Sequence, residues 1–379
     1  MSEIKKLPMS ILLAAVALLL ACGEEAGHDE RMALPCTLAV VDSVGVELED
    51  SAYVFGAILG LEFMPGGGFA VLDRVSRNVR LYDGRGVHQT TIAGSGSGPG
   101  EIVQPYGLFV WSSGDIGIMD PYRGGLQKFT AEGEYLGTVI DVTRNVPLNP
   151  RMIGDSGYVA YRTRINPDGD NAAVETFLGY FPMTWEPSHK YLSRTVPLDL
   201  NRMADFFLEQ FFYSFWAVDR VNGLVYAAPF DEGEYRILAF PLEGGEPEVI
   251  EMETSPVPRT DAEIEMERAF VAEYLTAAEG GEAPYSMDCE PWPYRLPISG
   301  MEVDDTGKLW VLRGDRDEVI FDVWDRSGTR LAECLLPGLE RGDLNFRIRG
   351  ERMLIYRENP PDYQKIYIVE IPLEKIPGQ

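Results

Sequence analysis

The chain has 379 residues, of which 60 are acidic and 33 basic, giving a formal charge of −27. So acidic a surface excludes nucleic-acid binding, which needs basic side chains to displace phosphate counterions, and it repels anionic lipid. An apolar content of 45% supplies a full core, in two or three ordinary domains or one large repeat architecture.

At the N-terminus, Lys5 and Lys6 precede an apolar run from Met9 to Leu20 that ends at Ala21-Cys22. The run is too short to span a bilayer as a helix and suits the core of a signal peptide. Leu19-Leu20-Ala21-Cys22 resembles the lipobox of bacterial lipoproteins, which implies lipid attachment at Cys22. The expected organisation is a signal peptide at 1–21, a small, polar tether at 22–35 and a folded body at 36–379. That places the protein at a bacterial cell envelope, its domain in the periplasm or outside the cell, touching the membrane only through its anchor.

Cys36, Cys289 and Cys334 remain in the body. Export permits a disulfide, but three thiols cannot all pair internally, and Cys289 with Cys334 is the preferred pair. There is no C-x-x-C motif, and His28, His88 and His189 are the only histidines, so no metal site is expected.

A repeat of 47 residues follows. Gly60-Leu61, Phe69 to Asp73, Val79 to Tyr82 and Gly86 recur as Gly107-Leu108, Ile116 to Asp120, Leu126 to Phe129 and Gly133. Short β-rich runs between Gly, Asp and Ser turns predict four-stranded propeller blades. Looser copies begin near Tyr158, Trp216, Gly300 and Met353, which makes six blades. Thr37 to Val46 is strand-like and belongs to no other copy. It is expected to supply the outer strand of the last blade and close the ring. Between blades four and five, Thr260-Asp261-Ala262-Glu263 forms a capping box, and a helix is predicted over about 259–280, with Ile264, Phe270, Val271, Tyr274, Leu275 and Ala278 on its apolar face.

Several stretches resemble the six-bladed β-propeller lipoproteins related to NHL-repeat proteins. They are Gly94 to Gly107 (GSGSGPGEIVQPYG), Asp42 to Val46, Asp261 to Ile264 and Pro293 to Val311. The resemblance implies an all-β six-bladed fold and an envelope address. It carries no catalytic residue, because that wider family has no single activity.

The end of each blade's second strand lies on the same face of the ring as the start of its first. Residues equivalent to Asp73 should therefore ring one channel mouth: Asp73, Asp120, Arg162, Pro229, Arg313 and Arg357. Two carboxylates and three guanidiniums there could hold a carboxylate-bearing or zwitterionic ligand, or could pair among themselves. The glycine-rich loop at 94–100 lacks both G-x-G-x-x-G and G-K-[ST] and reads as a turn between blades. Asn166 to Asp170 reads as a Pro-Asp-Gly turn, since a calcium loop would place Arg164 at its first position. The aromatic cluster Phe206, Phe207, Phe211, Phe212, Tyr213, Phe215 and Trp216 reads as blade packing. The first functional expectation is a monomeric, non-enzymatic module that binds a small ligand or an envelope protein and needs no cofactor. The alternative is a calcium-dependent lactonase- or esterase-like propeller with its metal in the channel, to which Asp73 and Asp120 could contribute oxygens.

Overall fold

A computed structural model describes residues 33–48, 50–141, 146–166, 172–198, 214–230, 233–279 and 290–377. Cys22, Cys289, the Pro167 to Asp170 turn and Phe206 to Tyr213 lie outside these residues. The body is a ring of six antiparallel sheets. Blade 1 holds β3 (Ile58–Phe63), β4 (Phe69–Asp73), β5 (Asn78–Tyr82) and β6 (His88–Ile92). Blade 2 repeats it with β7 (Gly107–Val110), β8 (Ile116–Asp120), β9 (Gly125–Phe129) and β10 (Tyr135–Asp141). The second and third strands of these two blades keep the 47-residue offset at both ends.

Blade 3 comprises β11 (Leu148–Ile153), β12 (Gly157–Asn166), β13 (Ala173–Phe181) and β14 (His189–Pro197). Its three outer strands are long, which is why the copy reads poorly in the sequence. Blade 4 holds β15 (Ser214–Asp219), β16 (Leu224–Pro229), β17 (Tyr235–Pro241) and β18 (Glu248–Met252). Blade 5 holds β19 (Ile298–Val303), β20 (Leu309–Arg313), β21 (Glu318–Trp324) and β22 (Arg330–Glu340). Blade 6 has three strands from the C-terminal segment: β23 (Leu344–Arg349), β24 (Arg352–Arg357) and β25 (Ile366–Glu370).

Its fourth strand is β2 (Ala39–Val44), antiparallel to β25 with Val40 opposite Val369 and Val44 opposite Ile366. The closure expected from the sequence is therefore present. A strand that the sequence did not announce precedes it. β1 (Leu34–Thr37) adds to blade 5, parallel to β22, making that sheet five-stranded. Strand structure thus occupies Leu34 and Pro35, the end of the stretch read as a tether.

Alternate residues of each strand face the neighbouring blades, so the apolar material collects in six clusters, each between adjacent blades, among the described residues. Leu72, Ile92, Leu108 and Ile118, for example, fill the gap between blades 1 and 2. The glycine landmarks of the repeat have a steric cause. A Cβ on Gly60 would stand 2.7 Å from Leu108 Cβ, and one on Gly107 would stand 2.7 Å from Pro150 Cδ. Inner strands of successive blades converge on the axis, and only glycine admits that approach.

The inserted helix, α1 (Asp261–Glu279), starts at the predicted capping box. The Thr260 amide donates to Glu263 Oε2 at 2.8 Å, and the Glu263 amide donates to Thr260 Oγ1 at 3.3 Å. Glu263 also pairs with Arg295 (3.0 Å) and Arg341 (2.5 Å), tying the helix to the entries of blades 5 and 6. Burial alone would raise its carboxyl, but the Thr260 amide and the two guanidiniums hold it down at about 2. Of the expected apolar face, Val271 is buried and Ile264 half-buried, while Phe270 is 42% exposed. Arg259 pairs with Glu267 and donates to the Glu263 carbonyl, bracing the first turns of the helix.

Truncation separates the two N-terminal strands. With the thiols kept reduced, a chain starting at Leu38 should melt slightly below one starting at Ala33. A chain starting at Val46 should melt far lower and aggregate, because blade 6 then exposes β25 as a raw edge. Thermal melts and light scattering of the three proteins check this; equal melting temperatures for the last two would remove β2 from its closing role.

Candidate functional site

The residues at the ends of the second strands are engaged locally. Asp73 accepts from the amides of Gly56 (2.9 Å), Ala57 (3.2 Å) and Val75 (2.9 Å). Asp120 repeats this one period later with Val103 (2.7 Å), Gln104 (3.1 Å) and Tyr122 (3.0 Å). Each carboxylate fastens the segment entering its blade. Burial would raise the Asp73 carboxyl, but these amides and Ser76 outweigh it and hold it low. Arg357 does the equivalent with donor and acceptor reversed, donating to the Glu340 and Arg341 carbonyls at 2.8 and 3.1 Å.

Arg313 is 3% exposed and forks onto Asp315 (2.8 and 2.6 Å), with Asp322 at 3.4 Å. Arg162 lies over the Trp185 ring at 3.8 Å and donates to the Trp185 carbonyl at 2.9 Å. Among the described residues no hydrogen bond or ion pair joins any two of these five. They share one end of the ring without converging on one another.

The charges that do converge are further along the inner strands. Strand register places Glu62 opposite Ala70, Phe109 opposite Gly117, Arg151 opposite Val159, Ala217 opposite Tyr226, Glu302 opposite Trp310 and Arg347 opposite Leu354. In every blade the partner lies three residues before the Asp73-equivalent position, so these six form one level of the channel. Four of them are charged and make a closed alternating circuit. Glu62 meets Arg347 at 2.9 Å and Arg151 at 3.5 Å, while Glu302 meets Arg347 at 3.4 Å and Arg151 at 3.8 Å. Blade 4 contributes the small Ala217 at this level and, beside it, the Trp216 ring, 5.7 Å from the Arg151 guanidinium.

Burial raises the Glu62 carboxyl, but Arg347, Arg151 and Arg220 outweigh it and leave it below the usual range. Burial lowers Arg151, helped by the like charge of Arg347, to about 10. Arg347 is raised despite its burial because it lies closer to both glutamates. Two carboxylates neutralised by two guanidiniums leave little charge at this level for a cation. Among the described residues, no group of three or more His, Cys, Asp or Glu is arranged to hold a metal ion.

First strands run away from the Asp73 end, so the circuit lies toward the opposite mouth. There a cleft of about 180 Å³ opens between the first-strand ends of blades 1 to 4. Phe63, Trp111, Pro150 and Met152 supply apolar wall, and Glu62, Asp155 and Arg220 supply charge. Asp155 is held by the Ser112 amide at 2.8 Å and by the Ser112 hydroxyl. Arg220 is fixed through Nε, which donates to the Met152 carbonyl at 2.6 Å, and its residue is exposed. Sequence reading missed both features. The signal was present in Gly60-Leu61-Glu62 and Gly300-Met301-Glu302, where a glutamate recurs two residues after the landmark glycine.

This arrangement defines a six-bladed β-propeller whose channel is closed by ion pairs. Among solved structures it is similar to a calcium-binding protein, regucalcin, of Agrobacterium tumefaciens (13% identity, 90% of this chain and 97% of that one, TM-score 0.42). It is also similar to a gluconolactonase of Xanthomonas campestris (15%, 90% and 99%, 0.41) and to virginiamycin B lyase of Staphylococcus aureus (8%, 87% and 98%, 0.41). No family model matches the chain, and no curated protein matches it.

Removing one member of the circuit leaves its buried partner uncompensated, at a cost of roughly 3 kcal/mol. Glu62→Gln and Arg347→Met should each lower stability by about that much in denaturant titrations, and the double variant should cost less than their sum. Glu62 has a lowered pKa, so its contribution is complete above the ordinary carboxylate range and fades as pH falls toward the folded-state value. The Glu62→Gln protein should accordingly lose less stability than the parent on acidification.

Proposed function

We propose that the protein is a non-enzymatic, lipid-anchored binding module that takes its ligand at the channel mouth formed by blades 1 to 4. The observation that carries this reading is the mixed cleft beside a channel sealed by its own ion pairs. Apolar walls from Trp111 and Met152 bury a ligand body, and the exposed end of Arg220 offers a forked donor to an anionic group. The propeller is then a rigid frame, and specificity lives in the loops that follow the first strands. The lactonase- or esterase-like reading, with calcium in the channel, is the rival. Asp73 and Asp120 stand against it, because their oxygens already accept backbone amides, and further along the channel Glu62 and Glu302 are already paired with Arg151 and Arg347.

Two measurements divide the readings. Melting temperature in EDTA should be unchanged, with and without calcium added back. A fall that calcium restores would favour the hydrolase, since a site filled at 100 times its dissociation constant adds about 2.7 kcal/mol. A panel of amino acids, sugar acids and short peptides, screened by thermal shift, should contain compounds that stabilise the parent and fail on Arg220→Ala. Equal shifts in both proteins would move the site elsewhere.

We also propose that Cys22 carries the lipid, supported by the Leu19-Leu20-Ala21-Cys22 sequence behind an apolar segment. Labelled palmitate fed to the expressing bacterium should enter the parent and not Cys22→Ala. Label in both proteins would refute that anchor.

A further inference from the structure

The parallel pairing of β1 with β22 places Cys36 directly opposite Cys334. Both are unbonded thiols, 4% and 0% exposed, within the apolar cluster between blades 5 and 6. Side chains at directly opposed positions project from the same face of a sheet, and adjacent strands lie about 4.8 Å apart, inside the Cα range of about 4.4–6.8 Å that a disulfide spans. Cys289 is the other body cysteine and has no place in this pairing.

We propose that Cys36 and Cys334 form a disulfide that clasps β1 to blade 5. The preferred Cys289–Cys334 pair of the sequence reading is replaced, because the register gives Cys334 a directly opposed partner. The thiols touch: a hydrogen bond with Cys334 lowers the Cys36 pKa, while the same contact, followed by burial, raises that of Cys334. One cysteine thiolate attacks one sulfur of a disulfide oxidant such as oxidised glutathione, giving a mixed disulfide and one released thiol. The other cysteine thiolate then displaces the second thiol, so that two cysteines are oxidised, the oxidant gains two electrons and the two cysteine protons leave with its thiols. Burial of both sulfurs requires this exchange to occur before β1 docks, and afterwards shields the bond from reductant.

The clasp has a structural consequence. β1 lies immediately before β2, the strand that closes the ring, so tension applied from the chain's start reaches Cys36 before β2 can peel from β25. It also links positions almost the whole body apart, where constraint of the unfolded chain is largest.

The test is refolding of the full chain from denaturant with oxidised glutathione, then alkylation in denaturant and peptide mass analysis. A peptide pair linking Cys36 to Cys334 is expected, retained in Cys289→Ser and lost in Cys36→Ser and Cys334→Ser. The oxidised parent should melt roughly 5 °C or more above its reduced form, with no such difference in Cys36→Ser. Alkylation of both cysteines in the parent, a stable glutathione adduct on Cys36, or a Cys289–Cys334 link would overturn the assignment. A Cys36–Cys334 link without a change in melting temperature would overturn the clasp. The parent's mass result stands even if a serine variant does not fold.

Discussion

Everything in this molecule depends on hydrogen bonds between segments from opposite ends of the sequence. Blade 6 has three strands of its own, and β2 is the fourth. Without that ladder β25 would be a free edge. The apolar cluster between blades 6 and 1 would also lose Val44, its contribution from the closing strand. A propeller has no central core to fall back on: its apolar material lies between blades, so each blade needs two neighbours. The price of joining such distant segments is loop-closure entropy, which grows only slowly with chain length and is met once by the whole ring.

Closure has an electrostatic result as well. Six inner strands brought to a common axis set one residue from each blade at each level, and side chains there have little water. Four charges at one level are tolerable only if they alternate and touch. Glu62, Arg151, Glu302 and Arg347 do so from blades 1, 3, 5 and 6, while Phe109 and Ala217 occupy the intervening blades. The channel is thereby filled with its own counter-charges, and the cleft of blades 1 to 4 lies at the mouth where the first strands end. The opposite end is built differently. Asp73 and Asp120 bind backbone amides and Arg357 binds backbone carbonyls, so charges there act as fasteners for blade entries.

Much of the architecture was legible because it rests on local signals. The 47-residue offset, the landmark glycines and the Thr260–Glu263 capping box each report a turn, a close approach or a helix start within a few residues of themselves. The closing strand was legible by subtraction, as a β-like segment left without a blade. Blade 3 was obscure because long outer strands displaced its landmarks.

By itself, then, the sequence determined the number of blades, their boundaries in the first two copies, the helical insertion and which segment seals the ring, since periodicity, turn chemistry and capping act over short stretches of chain. Only the tertiary structure decided which charges meet. Glu62 and Arg347 are 285 positions apart and become neighbours because inner-strand registers match once the ring is shut. Cys36 and Cys334 are opposed for the same reason, through a β1–β22 pairing that no local pattern encodes. Strand register across blades is a property of the closed ring, set by packing between sheets, and it is what turns scattered acidic, basic and thiol side chains into a circuit, a cleft and a facing pair.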